Sequence, residues 1–253
     1  MISFVKKYSL LLIILTYFIL MVVGGTSDGL EFQAVLTSFV FTLVVTIPWL
    51  FWQVRSVIRL KNEKKKTELL HLKSQINPHF FFNTLNNLYG LIEKDPKQAG
   101  KLVLKLSDMM RYSIYQGQQE VVSLEKEVDY LKDYIELQQM RYHKEIDVKF
   151  DVHIGIGYTL TPLLFIILLE NAFKHGVENL RSDAFIYLSL ATSGDEIIFS
   201  IKNNFDSSIS SEKGGIGLKN LKRRLELAYH AKHRYTKSIN QDEYEVQLII
   251  KRL

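Results

Sequence analysis

The chain of 253 residues contains no cysteine, only four prolines, and two long stretches without any charged side chain. The absence of cysteine excludes disulfides, thiolate metal sites and cysteine nucleophiles. The uncharged stretches cover residues 8–27 and 32–54. Each reaches the ~20 residues that a helix needs to cross a hydrocarbon core about 30 Å thick. The sequence therefore predicts a two-helix transmembrane hairpin in residues 1–54.

The basic residues predict how this hairpin is oriented. The short connection between the two stretches, GGTSDGLE, carries Asp28 and Glu31 but no basic residue. Basic residues flank both outer ends instead: Lys6, Lys7, Arg55, Arg59, Lys61, Lys64, Lys65 and Lys66. Because such residues favour the cytoplasmic side, both termini are expected in the cytoplasm. A cleaved signal peptide is the weaker alternative, since the first stretch is too long and lacks an Ala-x-Ala site.

The net charge of +5 is concentrated in one segment. Seven basic and two acidic residues lie between Val54 and Lys73, a surplus equal to that of the whole chain. We interpret residues 55–73 as a basic juxtamembrane helix that meets anionic lipid headgroups. A membrane-tethered nucleic-acid binder is the alternative and predicts strongly salt-dependent binding. The segment lacks interleaved aromatic residues, which favours the lipid interpretation.

Residues 74–143 are predicted to form amphipathic helices. Asp95 is a candidate N-cap with Pro96 as first helical residue, and Ser123 is a second N-cap. Glu125 and Glu127 supply the negative charge favoured in a first helical turn. Helices of this kind need a partner for their apolar face, and an antiparallel hairpin doubled in a homodimer would supply one.

Residues 144–253 are predicted to form an α/β sandwich, which makes the chain α+β overall. The segment EIDVKFDVHI alternates apolar and polar residues as a half-buried strand does. An apolar helix is expected over Leu163–Val177, followed by two strands joined at Ser193-Gly194-Asp195. A helix from about Gly217 to Tyr229 and a final pair of strands complete the segment.

The first of three motifs is QINPHFFFNTLN, residues 75–86. On a helix His79 and Asn83 share a face, and Pro78 predicts a kink just before the histidine. An imidazole with an ordinary pKa of about 6.5 is mostly neutral at pH 7 and can act as a nucleophile. An isolated histidine is more often a surface or interface residue, so the motif needs support from the rest of the chain.

The second motif, LLENAFKHG, interrupts an apolar helix with Glu170, Asn171, Lys174 and His175. A carboxylate, an amide oxygen, an ammonium and an imidazole together suit a magnesium–polyphosphate site, whereas a solvated helix face is the alternative. The glycines of the third motif, GGIGLKNLKRRL, let a phosphate come close to the backbone, and the helix that follows presents its N-terminus to that phosphate. The motif lacks the spacing of a P-loop or a Rossmann fingerprint and is weak when taken alone.

The order of these motifs after a membrane hairpin resembles the LytS-type sensor histidine kinases, whose catalytic module belongs to the GHKL (Bergerat-fold) ATPases. The resemblance covers roughly Leu72 to Leu253. QINPHFFFNTLN resembles the phosphoacceptor box of the family, LLENAFKHG the N box, and GGIGLKNLKRRLELAY the G box with its helix. The segment VVSLEKEVDYLKDYIELQQMRY resembles the region that precedes the ATPase.

The resemblance implies a role for each matching residue. His79 would accept the γ-phosphoryl group of ATP and pass it to an aspartate of a response regulator. Asn83 and Glu170 would contact the imidazole, with Glu170 as the first candidate for the base. Asn171 would hold Mg²⁺. The remaining nucleotide-binding candidates are Lys174, His175, Asn203, Gly215, Gly217, Asn220 and Arg224.

One departure from the family concerns adenine recognition. The strand before the lid usually ends Asp-x-Gly, but IKNNF places Asn203 and Phe205 at those positions. A neutral amide predicts a weaker contact than a carboxylate. A catalytically silent membrane scaffold is therefore kept as an alternative function. The resemblance further implies a bacterial inner-membrane location and a response-regulator partner of the LytTR type.

Overall fold

The computed structural model describes residues 18–19, 31–73, 78–142, 144–208 and 216–252. It divides into two units, residues 1–65 and 66–253. Helix α1 runs over Glu31–Lys73. Among the described residues, one helix is long and apolar enough to cross a membrane: Leu36–Leu69, with a window of mean hydropathy 1.5 that is 6% buried. The second predicted span is thus helical, whereas the first lies outside the described residues apart from Phe18 and Ile19.

Three further helices follow, together with a short strand: α2 (Pro78–Lys94), α3 (Pro96–Arg111), β1 (Val122–Ser123) and α4 (Leu124–Arg141). A π-helical turn over Tyr112–Gln116 continues from α3. Both predicted N-caps are confirmed. Asp95 accepts a hydrogen bond from the Gln98 N–H at 2.9 Å, and Ser123 accepts one from the Lys126 N–H at 3.4 Å.

A five-stranded sheet forms the centre of the remaining segment. Its strands are β2 (Ile146–His153), β4 (Ala184–Ser193), β5 (Glu196–Asn204), β6 (His233–Asn240) and β7 (Glu243–Lys251), in the order β2-β4-β5-β7-β6. Only the β2–β4 pair is parallel. The predicted strands and their turn at Gly194 are confirmed. An additional antiparallel pair, β1 with β3 (Thr159–Leu160), was not predicted.

The prediction of one apolar helix over Leu163–Val177 is wrong in two respects. The helix begins later than predicted, and it is not α-helical throughout. Helix α5 covers Ile166–Asn171 and continues as a π-helical turn over Ala172–Gly176 and a 3₁₀ turn over Val177–Asn179. Leu163 has a φ of +56°, which a right-handed helix cannot contain. Helix α6 covers Ile216–Tyr229, in agreement with the prediction.

Packing of α5 against the sheet begins at the residue before the helix. The ring of Phe165 is fully buried and stacks on Phe199 of β5, with 4.5 Å between ring centroids. Alternate residues of β4 and β5 are buried, as expected for strands that turn one face to a core. The second motif is thereby carried on a helix fixed to the sheet.

Candidate functional site

A cavity of about 460 Å³ lies between α4 and α5. It contains residues from the phosphoacceptor-type motif, the second motif and the third motif. Its lining consists of Phe80, Tyr134, Gln138, Arg141, Tyr142, Ile167, Glu170, Asn171, Phe173, Lys174, Glu178 and Gly217. The structure thus brings together three motifs that are far apart in the sequence.

Asn171 is oriented within this cavity by its own helix. Its side-chain Nδ2 donates to the Ile167 carbonyl at 2.7 Å. This bond fixes the orientation of the amide, and Oδ1 is its acceptor atom, the one that can serve a cation. A Cβ atom placed on Gly217 would lie 3.8 Å from Nδ2 and 3.9 Å from Oδ1 of Asn171. The first turn of α6 therefore lies directly against Asn171.

The phosphoacceptor-type motif reaches the cavity through Phe80. This ring is 4% exposed and packs on Tyr134 of α4, with 4.6 Å between centroids. Phe81 is 9% exposed, whereas Phe82 is 65% exposed. Two of the three phenylalanines are thus buried within this chain.

The two polar candidates of the first motif are placed only in part. His79 lies in the first turn of α2, next to Phe80, and its side chain is outside the described part of the structure. Asn83 is half-buried and does not line the cavity. Their roles toward the phosphoryl group remain predictions.

One wall of the cavity was missed by sequence reasoning. Tyr134, Gln138 and Arg141 project from α4 into it. Gln138 Nε2 donates to the Tyr134 hydroxyl at 2.6 Å, and Arg141 Nη1 lies 3.5 Å from Gln138 Oε1. The spacing of i, i+4 and i+7 places the three on one helix face, and this polar periodicity is the signal that could have found them.

Charges of both signs line the cavity. Lys174 and Arg141 share the lining with Glu170 and Glu178, and the Arg141 Nη2 lies 3.5 Å from Glu178 Oε1. Burial, followed by the nearby Glu170 carboxylate, raises the pKa of Tyr134 well above its usual value. This tyrosine therefore stays protonated and can donate or accept hydrogen bonds at the cavity wall.

His175 lies outside the cavity lining, although the sequence grouped it with Lys174. Its pKa is lowered by burial and by the Lys174 charge, against a smaller opposing effect of Glu178. These effects favour the neutral imidazole. The change from α-helical to π-helical turns at Ala172 explains why helical spacing alone did not fix the direction of this side chain.

Other nucleotide-binding candidates are separate from the cavity. Asn203 is 3% exposed, and its Nδ2 donates to the Asn204 carbonyl at 2.9 Å. Arg224 is 2% exposed, and its guanidinium donates to the Leu163 carbonyl at 2.7 Å and to the Pro162 carbonyl. Asn220 is half-buried on α6 and does not line the cavity, while Gly215 lies outside the described residues.

The oxygen donors in the cavity fit magnesium held jointly with a polyphosphate. Among the described residues, no cluster of three or more histidine, cysteine or acidic side chains could hold a metal ion by itself. Mg²⁺ ordinarily takes one or two protein oxygens and completes its shell with water and phosphate. Asn171 Oδ1 and the Glu170 carboxylate are oxygens of that kind.

Comparison with known proteins agrees with the motifs. Residues 67–146 match the family model described as histidine kinase. The chain is 32% identical over 176 residues to the sensor protein LytS of Staphylococcus saprophyticus, covering 64% of this chain and 30% of that protein. It is 30% identical over 187 residues to the sensor histidine kinase YpdA of Escherichia coli, covering 70% and 33%. The chain spans about a third of the length of these relatives.

Among solved structures, the histidine kinase domain of a blue-light activated histidine kinase from Erythrobacter litoralis aligns with a TM-score of 0.43 at 12% identity. The alignment covers 76% of this chain and 94% of that domain. The sequence comparisons agree with the resemblance found in the three motifs: this chain is similar to LytS-type sensor histidine kinases.

Proposed function

We propose that this chain is a membrane sensor histidine kinase that transfers the γ-phosphoryl group of Mg-ATP to His79 and then to an aspartate of a response regulator. One observation carries the proposal. Phe80, the neighbour of His79, lines the same cavity as Asn171, Lys174 and Gly217. Phosphoryl transfer depends mainly on positioning and charge neutralisation, and this arrangement supplies groups for both.

Each cavity residue has a distinct task in this reaction. Asn171 Oδ1 would hold Mg²⁺, which would neutralise phosphate charge. Lys174 binds phosphate oxygens, and Gly217 allows the backbone of α6 to approach them. One imidazole nitrogen of His79 forms the new N–P bond while the bond between the γ-phosphorus and the bridging oxygen breaks, and ADP leaves. Glu170 or a neighbouring group takes the proton from the other nitrogen, and Asn83 orients the ring.

The wider assembly is a homodimer anchored in the cytoplasmic membrane of a bacterium. Exposed apolar side chains on α2 and α3 support a second copy as partner: Phe82, Leu85, Tyr89, Ile92 and Leu104. In this arrangement two spans place both termini in the cytoplasm, where a LytTR-type response regulator is the phosphoryl acceptor. The basic residues that follow the second span support this orientation.

A catalytically silent membrane scaffold is the second candidate, and Asn203 is the observation that favours it. The family position that contacts adenine holds here an amide that is buried and bonded to Asn204. A scaffold would form the dimer without ever carrying phosphate on His79.

Labelled ATP tests the proposal. The full chain in lipid nanodiscs is incubated with Mg²⁺ and γ-labelled ATP, beside His79→Ala and the matched control His153→Ala, an exposed histidine on β2. We expect acid-labile, alkali-stable label in the wild type and in the control, and none in His79→Ala. A folded wild-type dimer without label would support the scaffold. Label that persists in His79→Ala would place the acceptor elsewhere.

A further inference from the structure

We infer that Arg141, the last residue of α4, binds the phosphates of the nucleotide, and that these phosphates replace Glu178 as the partner of its guanidinium. This inference rests on the proposed function, because it assigns a further charged group to the same nucleotide site. The family resemblance gave Arg141 no role, and the residue precedes the segment predicted to be the ATPase.

The position of Arg141 is the first argument. Its side chain lines the same cavity as Asn171 and Lys174. It is 21% exposed, so it is largely withdrawn from water but open to a ligand. The guanidinium carbon lies 5.1 Å from the ring centre of Tyr142, which supports it on one side.

The bonds of Arg141 are the second argument. The contacts to Gln138 Oε1 and Glu178 Oε1 both measure 3.5 Å, at the long limit of hydrogen bonding. Neither is the bidentate pairing that a guanidinium forms with a well-placed carboxylate. Glu178 is itself 44% exposed. Phosphate oxygens can therefore replace Glu178 at little cost.

Charge balance is the third argument. The cavity lining carries two cations, Lys174 and Arg141, and two carboxylates, Glu170 and Glu178. Without Arg141 the lining would be negative overall and would repel a polyphosphate. The planar guanidinium, with several donors, suits phosphate better than an ammonium does.

Nucleotide titration tests this assignment. The full chain in nanodiscs is titrated with Mg-ATP, Mg-ADP and adenosine by calorimetry. We expect Arg141→Ala to weaken Mg-ATP binding by roughly 10- to 100-fold, Mg-ADP binding by less, and adenosine binding not at all. Arg141→Lys should restore part of the loss. Arg181→Ala, an exposed arginine outside the cavity, is the matched control and should bind like the wild type.

Glu178→Gln separates phosphate binding from a structural role. If Arg141 acts on phosphate, this variant binds Mg-ATP at least as tightly as the wild type. If the Arg141–Glu178 ion pair matters only for structure, Glu178→Gln reproduces the loss of Mg-ATP binding, or Arg141→Ala weakens adenosine binding equally. Either result overturns the inference.

Unchanged Mg-ATP binding in Arg141→Ala also overturns the inference and leaves the proposed kinase function intact. If Mg-ATP binding depends on Arg141 but no phosphohistidine forms, only the kinase proposal is overturned. If the wild type binds no Mg-ATP, both the kinase proposal and the inference about Arg141 are overturned.

Discussion

Glu127 and Arg224 form hydrogen bonds with the two backbone polar groups of one residue, Leu163. Glu127 Oε1 accepts from the Leu163 N–H at 2.7 Å, and Arg224 Nη1 donates to the Leu163 carbonyl at 2.7 Å. Both charged side chains are buried, and the Tyr112 hydroxyl donates to the same Glu127 oxygen at 2.7 Å. Helices α4 and α6 are thereby joined through the backbone of a residue with a left-handed φ.

Removal of Glu127 should strongly destabilise this part of the chain. Glu127→Ala leaves the Leu163 N–H and the Tyr112 hydroxyl without their acceptor and removes the carboxylate that offsets the buried Arg224 charge, a loss of about 3–5 kcal/mol by analogy with broken buried ion pairs. Urea unfolding of the full chain in detergent, followed by circular dichroism, measures the change. Glu125→Ala is the control, because Glu125 is exposed in the same first turn of α4. Equal urea midpoints for the two variants would contradict the prediction.

Gly176 and Gly90 should respond in opposite directions to replacement by alanine. A Cβ at position 176 would lie 2.5 Å from Asn203 Nδ2 and 2.6 Å from the Asn204 carbonyl oxygen, so the turn must shift. A Cβ at position 90, within α2, meets nothing within 4 Å. Gly90→Ala is therefore expected to stabilise the chain by about 0.5–1 kcal/mol through helix propensity, and Gly176→Ala to lower its stability and its nucleotide affinity. Thermal unfolding with and without Mg-ATP distinguishes the two; a stabilising Gly176→Ala would refute the close contact.

His175 should titrate below its ordinary pKa of 6.5. Burial, followed by the Lys174 charge, disfavours its protonated form in the folded chain. The contribution of this group to stability is therefore present above pH 6.5 and is lost as the pH falls through the lower, folded-state pKa. NMR titration of the imidazole measures the shift. Lys174→Ala should raise the His175 pKa and Glu178→Ala should lower it further, and the reverse order would show that other charges dominate.

Phosphoryl transfer is expected to occur within one chain. Phe80, beside His79, and Asn171 of the same chain line one cavity. A heterodimer of a His79→Ala chain with an Asn171→Ala chain, isolated through two different tags, should therefore acquire no label from ATP. A heterodimer of wild type with His79→Ala should be labelled on the wild-type chain. Label on the Asn171→Ala chain of the first heterodimer would show transfer between chains.

Local patterns predicted the features of this fold that local chemistry determines. The caps at Asp95 and Ser123, the alternating strands and the turn at Gly194 depend on neighbouring residues and were all found. Glu127 shows the limit of such reasoning. Its place in a first helical turn predicted only a charge that favours the helix N-terminus, but its partner Leu163 lies 36 residues away. That partner becomes apparent only when the chain has folded.

The candidate site likewise combines features that local motifs predicted with features that depend on contacts between distant residues. The motifs predicted Glu170, Asn171, Lys174 and Gly217, all of which line the cavity. Arg224 was grouped with them because it lies near the end of the third motif, but its contact with Leu163, 61 residues away, places it in the core. The wall that α4 contributes depends on how one helix packs on another, which no short motif encodes.

The pairing of β1 with β3 determines at which residue the N-terminal and C-terminal parts of related chains can be joined in a chimaera. Val122 pairs with Leu160, and the Leu124 N–H donates to the Tyr158 carbonyl at 2.9 Å. A junction at residue 144, the boundary that the sequence pattern predicts, would replace β1, the native partner of β3, and would remove Arg141 from the cavity. Chimaeras, whether made by recombination in nature or in the laboratory, should keep their function only when the junction lies before Val122.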